Sequence, residues 1–105
     1  MTHEEIMAML EVLGIPYAYD HFAEGESPDP PFVCFLYPRS DNFGADNIVY
    51  ASASVLDIEV YTDYKDPALE EKIEEALTAH ELYYEKSEVW IESEKLYEVL
   101  YETVV

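Results

Sequence analysis

Leu56-Asp57-Ile58-Glu59-Val60-Tyr61 alternates apolar residues with acidic or hydroxylated ones. A period of two is typical of a β-strand that has one buried and one solvated face. This stretch ends the longest strand candidate, residues 48–61. A continuous apolar run at residues 32–37, closed by Pro38, predicts a buried strand. The two runs flank a loop-like segment, residues 39–47, and together they predict a long hairpin.

Two amphipathic helices are predicted from their start signals. Thr2 and Glu5 have the spacing of a capping box, and they open a helix predicted over residues 2–13. Asp66-Pro67 combines a good N-cap residue with proline at the first helical position. We expect this second helix to end near His80, with a row of glutamates on its solvated side.

The remaining strands complete the expected fold. Residues 15–22 form a plausible first strand, and residues 82–86, 89–92 and 96–104 indicate closing strands. The last segment also fits a helix, but its tyrosine and valine content favours a strand. The expected order is α-β-β-β-α-β-β, in a single α+β domain spanning residues 1–105. An antiparallel or mixed sheet would carry both helices on one face.

Composition limits the function. The chain has 105 residues, half of them hydrophobic, which is enough to build one core. Twenty-four Asp and Glu face five Lys and Arg, so the formal net charge is −19. This charge argues against direct binding to nucleic acid or to an anionic membrane, although much of it could simply be a solvated surface. No apolar run is long enough for a membrane helix, and the amino-terminal residues do not form a signal peptide.

No catalytic or cofactor motif is present in the sequence. His3, His21 and His80 are far apart, and lone Cys34 lies in an apolar run where a buried, inert thiol is expected. Four oxygen-bearing residues could ligate calcium, but their spacing departs from that of an EF-hand. These four residues are Asp41, Asn42, Asp46 and Asn47. We therefore expect neither an enzyme nor a cofactor-dependent or metal-dependent protein.

Features typical of binding surfaces are more evident. The only arginine, Arg39, shares the segment 39–47 with Asn42 and Phe43, and arginine and aromatic residues are common anchors of interfaces. Ten tyrosines are present, most of which we expect to pack on the sheet. The carboxy-terminal strand would offer backbone pairing to a neighbour if it were an edge strand. Its Tyr97 and Tyr101 are therefore further interface candidates.

Several segments together resemble a family of prophage proteins from the head–tail gene cluster of long-tailed phages that infect Gram-positive bacteria. The family is that of the tail terminators, also described as tail completion or head–tail joining proteins. The segments are residues 15–22 (IPYAYDHF), 32–38 (FVCFLYP), 41–46 (DNFGAD), 56–63 (LDIEVYTD), 65–67 (KDP) and 91–102 (IESEKLYEVLYE). None of them is a catalytic signature, so the resemblance concerns fold and assembly.

The resemblance implies an α+β subunit that assembles as a six-fold ring on the finished tail tube. Its partners would be other copies of itself, the tail tube protein and a head-closure or connector protein. It would be made in the bacterial cytoplasm and end in the virion at the head–tail junction. An acidic lumen would repel passing DNA and let it slide, a hypothesis motivated by the net charge.

Two alternatives stand beside the ring subunit. A neighbouring head-closure or connector protein would have a similar size and genomic place. An acidic DNA mimic that inhibits a host defence nuclease would have similar size and charge. Such an inhibitor should bind a basic protein with strong salt dependence.

Overall fold

The computed structural model describes residues 1–45 and 47–105. Asp46, one of the calcium ligands considered above, lies outside the described residues. Two helices and seven strands follow one another along the chain. They are α1 (His3–Glu11), β1 (Tyr17–Tyr19), β2 (Phe32–Leu36), β3 (Phe43–Ala45), β4 (Ile48–Ala51), β5 (Val55–Thr62), α2 (Pro67–Ala79), β6 (Tyr84–Ile91) and β7 (Leu96–Val104).

Both predicted helix starts are confirmed. The Thr2 hydroxyl accepts a hydrogen bond from the Glu5 amide at 3.1 Å, and the Glu5 carboxylate accepts one from the Thr2 amide at 3.0 Å. This reciprocal pair is the capping box of α1. The Asp66 carboxylate caps α2 by accepting from the Leu69 amide at 3.2 Å, and His80 is its C-cap residue.

The chain forms a single α+β domain around a mixed sheet, as the sequence predicts. Five strands lie in the order β1-β2-β5-β7-β6. β1 runs parallel to β2, whereas β2–β5, β5–β7 and β7–β6 are antiparallel pairs. β3 and β4 pair with each other in a second, two-stranded sheet.

Both helices pack on the same face of the five-stranded sheet, and the core lies between them and the sheet. Full burial of one such apolar side chain contributes about 1.5–3 kcal/mol. The helices supply Ile6, Met9 and Leu10 from α1 with Leu69, Ile73 and Leu77 from α2. The sheet supplies Val33, Phe35, Leu56, Ile58, Val60, Val99 and Tyr101.

The carboxy-terminal strand does not meet the condition for backbone pairing with a neighbour, because it is not at an edge. β7 lies between β5 and β6, so the last strand is central and β6 is the edge strand. The helical alternative for residues 96–104 is wrong, because β7 is paired along its whole length. The two short segments predicted at residues 82–86 and 89–92 are one continuous strand, β6.

The predicted long hairpin is present, but it is interrupted. The strand predicted over residues 48–61 is divided into β4 and β5. The segment 39–47, predicted to be a loop, contains β3. An isolated bridge between Ser40 and Ser54 joins the two parts of the hairpin. The observed order is therefore α-β-β-β-β-β-α-β-β, which has two more strands than the expected order α-β-β-β-α-β-β and one more than the six predicted strand segments.

Candidate assembly surfaces

The two-stranded sheet of β3 and β4, here called the arm, prolongs the β2–β5 hairpin beyond the main sheet. At its base the Val55 amide donates to the Arg39 carbonyl at 2.9 Å, and the Asp41 amide donates to the Ala53 carbonyl at 2.8 Å. The molecule is elongated, with principal extents of 48 × 29 × 23 Å. The arm is thus a structured extension with a continuous backbone connection to the core.

Large apolar side chains on the arm are exposed to solvent. Phe43 is 69% exposed, Ile48 is 59% exposed and Val49 is 55% exposed. Single exposed apolar residues are ordinary, whereas a group of them on one small element is a candidate interaction surface. Ile48 and Val49, as successive strand residues, point to opposite sides of the arm. Phe43 was a sequence candidate, whereas Ile48 and Val49 were assigned to the longest strand and were missed. Their signal was the apolar pair itself, directly after a polar segment.

The backbones of the two strands of the arm approach each other closely at Gly44. Gly44 lies opposite Val49, next to a register irregularity between Phe43 and Gly44. A Cβ atom built on Gly44 would lie 3.1 Å from the carbonyl oxygen of Ile48. This separation is short for carbon and oxygen, so glycine permits the two strands to approach here.

Asn42 and Arg39 belong to the base of the arm rather than to its exposed tip. The Asn42 side chain accepts a hydrogen bond from the Ala53 amide at 3.2 Å and donates one to the Ser40 hydroxyl at 3.3 Å. Asn42 therefore braces the base. Exposed Arg39 lines a shallow cavity of about 250 Å³ together with Glu85 and Glu102. None of the ion pairs found among residues 1–45 and 47–105 includes Arg39.

The two tyrosine candidates on β7 have different positions. Tyr101 is fully buried, and its hydroxyl donates to a carboxylate oxygen of Glu74 on α2 at 2.7 Å. It is a core residue, which corrects the interface role predicted for it. Tyr97 is partly buried beside Trp90, with 4.7 Å between ring centroids, and the Lys65 ammonium lies 5.4 Å from its ring centroid. An interface role for Tyr97 stays a prediction.

Carboxylates occupy the sheet face opposite the helices. Because successive side chains of a strand point to opposite faces, the neighbours of core residues Ile58, Val60, Val99 and Tyr101 point away from the helices. We call the β5, β7 and β6 part of that surface the open face. Strand register places Asp57, Glu102 and Glu85 in one row across it. Glu59 lies in the adjacent row, opposite Leu100, and Glu98 lies in the row after that, opposite Tyr61.

Partial burial makes these carboxylates harder to ionise. Burial raises the pKa of Asp57, the neighbouring Glu102 charge raises it further, and the Arg39 charge opposes the rise. Burial also raises the pKa of Glu59, with the Glu98 charge as the next cause. The pKa of Glu98 is raised by burial and then by the Asp57 charge. The carboxylates of the open face therefore repel one another at neutral pH.

The loop of residues 20–31 covers the β2 end of this sheet face. Phe22 meets Phe32 edge to face, with 5.5 Å between ring centroids, and Phe32 stacks on Tyr61 at 5.1 Å. Cys34, which lies on β2 two residues after Phe32, is buried. Coverage by this loop explains why β2 is buried on both faces although the helices cover only one.

The grouping of Cys34, His21 and Asp20 around one cavity does not form an activated nucleophile. His21 Nδ1 lies 2.6 Å from an Asp20 carboxylate oxygen, and both residues line a cavity of about 280 Å³ that Cys34 also lines. Burial raises the pKa of the Cys34 thiol to about 11, with the charges of Glu59 and Asp20 adding to the effect. A reactive cysteine needs the opposite environment, one that stabilises its thiolate.

The other histidines are not arranged for catalysis either. His3 Nδ1 is 2.8 Å from the Tyr37 hydroxyl, and His80 ends α2. Within residues 1–45 and 47–105, no group of three or more His, Cys, Asp or Glu side chains could hold a metal ion.

Comparison with known proteins does not assign a family. No protein-family model matches the chain, and no curated protein matches it significantly. Among the described residues, no helix is both long and apolar enough to cross a membrane. The function of this protein is therefore inferred from its surfaces.

Proposed function

We propose that this protein is a structural assembly subunit and that the arm is its main docking element. The observation that carries this proposal is the exposure of Phe43, Ile48 and Val49 on a hairpin outside the main sheet. The assembly implied by the sequence resemblance is a closed ring of copies that ends a phage tail tube and joins it to the head.

An arm of this kind suits a ring. Rings form from head-to-tail interfaces, in which one surface of a subunit contacts a different surface of the next. Burying an exposed apolar side chain of this size contributes about 1.5–3 kcal/mol before the cost of association is subtracted. The arm of one copy would therefore supply one side of the contact.

Edge strand β6 is the other side that we propose. Its outer backbone edge has no partner strand in the main sheet, and such an edge can pair with a further strand. Val89 is 52% exposed and Trp90 is 41% exposed on the same strand. Apolar side chains beside an open backbone edge fit the apolar side chains of the arm.

Chemistry at the cavities favours binding over catalysis. The raised pKa of Cys34 keeps its thiol protonated, and the surroundings of His21 and His3 contain no activated nucleophile. An enzyme would need a reacting group that is poised for its task, and the cavity lined by Cys34 opposes ionisation of that thiol.

Sedimentation of the purified protein tests the role of the arm. We expect concentration-dependent self-association of the wild type, and we expect Phe43→Ser to weaken it without lowering the melting temperature. Tyr64→Ser is the matched control, because Tyr64 is 60% exposed but lies in the segment before α2. Equal effects of the two substitutions, or equal loss of stability and assembly in Phe43→Ser, would contradict the role of the arm.

An assay of tail tube polymerisation tests whether the proposed ring acts at the end of the tail tube. Added to polymerising tail tube protein, the wild type should shorten the tubes and bind at one end, as seen by negative-stain electron microscopy. Phe43→Ser should leave tube length unchanged if ring formation is required. Binding to a head-closure protein without any effect on tubes would move the protein to the connector. Binding to neither would refute the phage assembly role.

A further inference from the structure

We propose that the open face of the sheet docks a basic segment of a partner protein, whose arginine or lysine side chains meet the row Asp57–Glu102–Glu85. The helices cover the other face, and the loop of residues 20–31 covers only the β2 end of this one. On the rest of the open face Glu85, Val89 and Val104 are exposed, and Asp57 and Glu102 are partly buried. This inference goes beyond the ring assembly and does not depend on the arm.

The four lysines of the chain are located elsewhere. Lys86 on β6 points to the helix side, where it pairs with Glu70 at 2.7 Å and with Glu74 at 2.8 Å. The other three lysines also lie away from the open face, in the segment before α2, on α2 and in the β6–β7 turn. They are Lys65, paired with Glu70 and Glu88; Lys72, bonded to the Leu13 carbonyl; and Lys95, paired with Glu92. Among residues 1–45 and 47–105, Arg39 is the one Lys or Arg that offsets the charge of the row: it lines a cavity with Glu85 and Glu102, and its charge acts on Asp57.

The register of the row is unfavourable without a cation. Glu102 lies opposite Asp57 on one side and opposite Glu85 on the other. Like charges directly opposite each other destabilise an antiparallel pair. The Asp57 Oδ1 atom is buried and accepts no hydrogen bond from any described residue. An incoming guanidinium could bind the neighbouring Glu102 carboxylate and offset the charge of Asp57, since its planar donors suit paired carboxylate oxygens.

Apolar side chains next to the carboxylates favour a protein segment over a free ion. Val89 and Val104, both exposed, lie on the same face as the row, and Leu100 lies opposite Glu59 in the adjacent row. Such side chains can pack against the aliphatic stems of lysine and arginine. The alternation of carboxylate and apolar positions therefore matches a basic segment that also carries apolar residues.

Charge favours a basic protein segment over the other possible occupants of the open face. A second copy of the chain carries the same formal charge of −19, so two open faces would repel each other. Nucleic acid is repelled for the same reason. A metal ion would need several converging ligands, and no suitable group exists within residues 1–45 and 47–105.

The test uses a short fluorescent peptide of alternating arginine and valine, followed by anisotropy at low and at physiological ionic strength. The variant Asp57→Asn/Glu102→Gln should bind the peptide about tenfold or more weakly than the wild type. The control Glu71→Gln/Glu75→Gln changes the net charge equally but on the exposed side of α2, and it should weaken binding less than about twofold. Melting temperatures of both variants show that they are folded.

Three results would overturn the proposal. Equal weakening in both variants would mean that the peptide responds to net charge alone. Absence of wild-type binding at low ionic strength would mean that the open face is an ordinary solvated surface. If calcium abolished peptide binding by the wild type, the face would be assigned to a metal. If self-association of the wild type abolished it, the face would be assigned to a second copy. Because the open-face variant retains the arm, failure here leaves the assembly proposal unaffected.

Discussion

Asp57 on β5 and Glu102 on β7 lie directly opposite each other in adjacent antiparallel strands, on the sheet face away from the helices. Burial is the main cause of the raised pKa of Asp57, and Glu102 is the second. The fold therefore holds two like charges together in a partly dehydrated position. Natural sequences keep such local conflicts mainly where a function requires them, which agrees with the partner surface proposed above.

Neutralising Asp57 should stabilise the fold. A carboxyl whose pKa is raised on folding binds its proton more tightly in the folded state. The stabilisation that comes from this tighter proton binding is present at acidic pH, and it is lost as pH rises through the raised pKa. We expect Asp57→Asn to increase that free energy near neutral pH by up to about 1 kcal/mol. Urea denaturation at several pH values, from about the reference pKa of 3.8 up to neutral pH, measures both the gain and the smaller pH dependence.

Glu71→Gln is the control for this experiment, because Glu71 is an exposed residue of α2 and also loses one negative charge. It should change the free energy of unfolding by less than about 0.5 kcal/mol. If Asp57→Asn instead lowered stability at neutral pH, Asp57 would be making a favourable interaction that outweighs its repulsion from Glu102.

Removing the Tyr101 hydroxyl should destabilise the protein. This buried hydroxyl donates to Glu74 at 2.7 Å, and the interaction helps to keep the pKa of Glu74 low, after the larger effect of Lys86. We expect Tyr101→Phe to lower the free energy of unfolding by about 1.5–3 kcal/mol, since the acceptor is charged. Tyr83→Phe, which removes an exposed hydroxyl bonded to Glu85, should have little effect on the urea midpoint. Equal midpoints for Tyr101→Phe and the wild type would place the hydroxyl outside the cooperative core.

Local signals explain which parts of the fold could be predicted from the sequence. The capping box of Thr2 and Glu5 involves residues three positions apart, and Asp66-Pro67 acts within one turn, so both helix starts follow from neighbouring residues. The alternation in residues 56–61 likewise reflects one strand and its two faces. These features need no knowledge of what packs against them.

Strand order and exposure depend on distant partners and were harder to predict. Tyr101 was an interface candidate on a strand that could have been an edge, but β6 pairs along the outside of β7 and the Tyr101 hydroxyl bonds to α2. Phe43 was placed in a loop because only its pairing with Ala51 makes β3 a strand. The row of Asp57, Glu102 and Glu85 joins three strands, and no spacing along the chain indicates it.

Cys34 should react slowly with thiol reagents in the folded protein. Its pKa is raised from a reference value of 9.0 to about 11, which leaves about 100-fold less thiolate at mildly alkaline pH. Burial restricts the reagent further. Labelling with a chromogenic disulfide before and after urea unfolding measures the difference. Phe22→Ala should accelerate labelling of the folded protein by opening the loop, whereas equal rates in the folded and unfolded wild type would mean that the loop does not cover Cys34.

Gly44→Ala should perturb the arm while sparing the core. The added methyl group would meet the carbonyl oxygen of Ile48 at 3.1 Å, and this neighbour is backbone, so the two strands of the arm must move apart. Because the arm lies outside the main sheet, the global free energy of unfolding should change by less than about 0.5 kcal/mol. Amide exchange in β4 should accelerate, and self-association should weaken although Phe43, Ile48 and Val49 are all retained. Comparison with Phe43→Ser then separates the shape of the arm from its apolar surface. A loss of global stability above about 2 kcal/mol would instead make the arm part of the cooperative core.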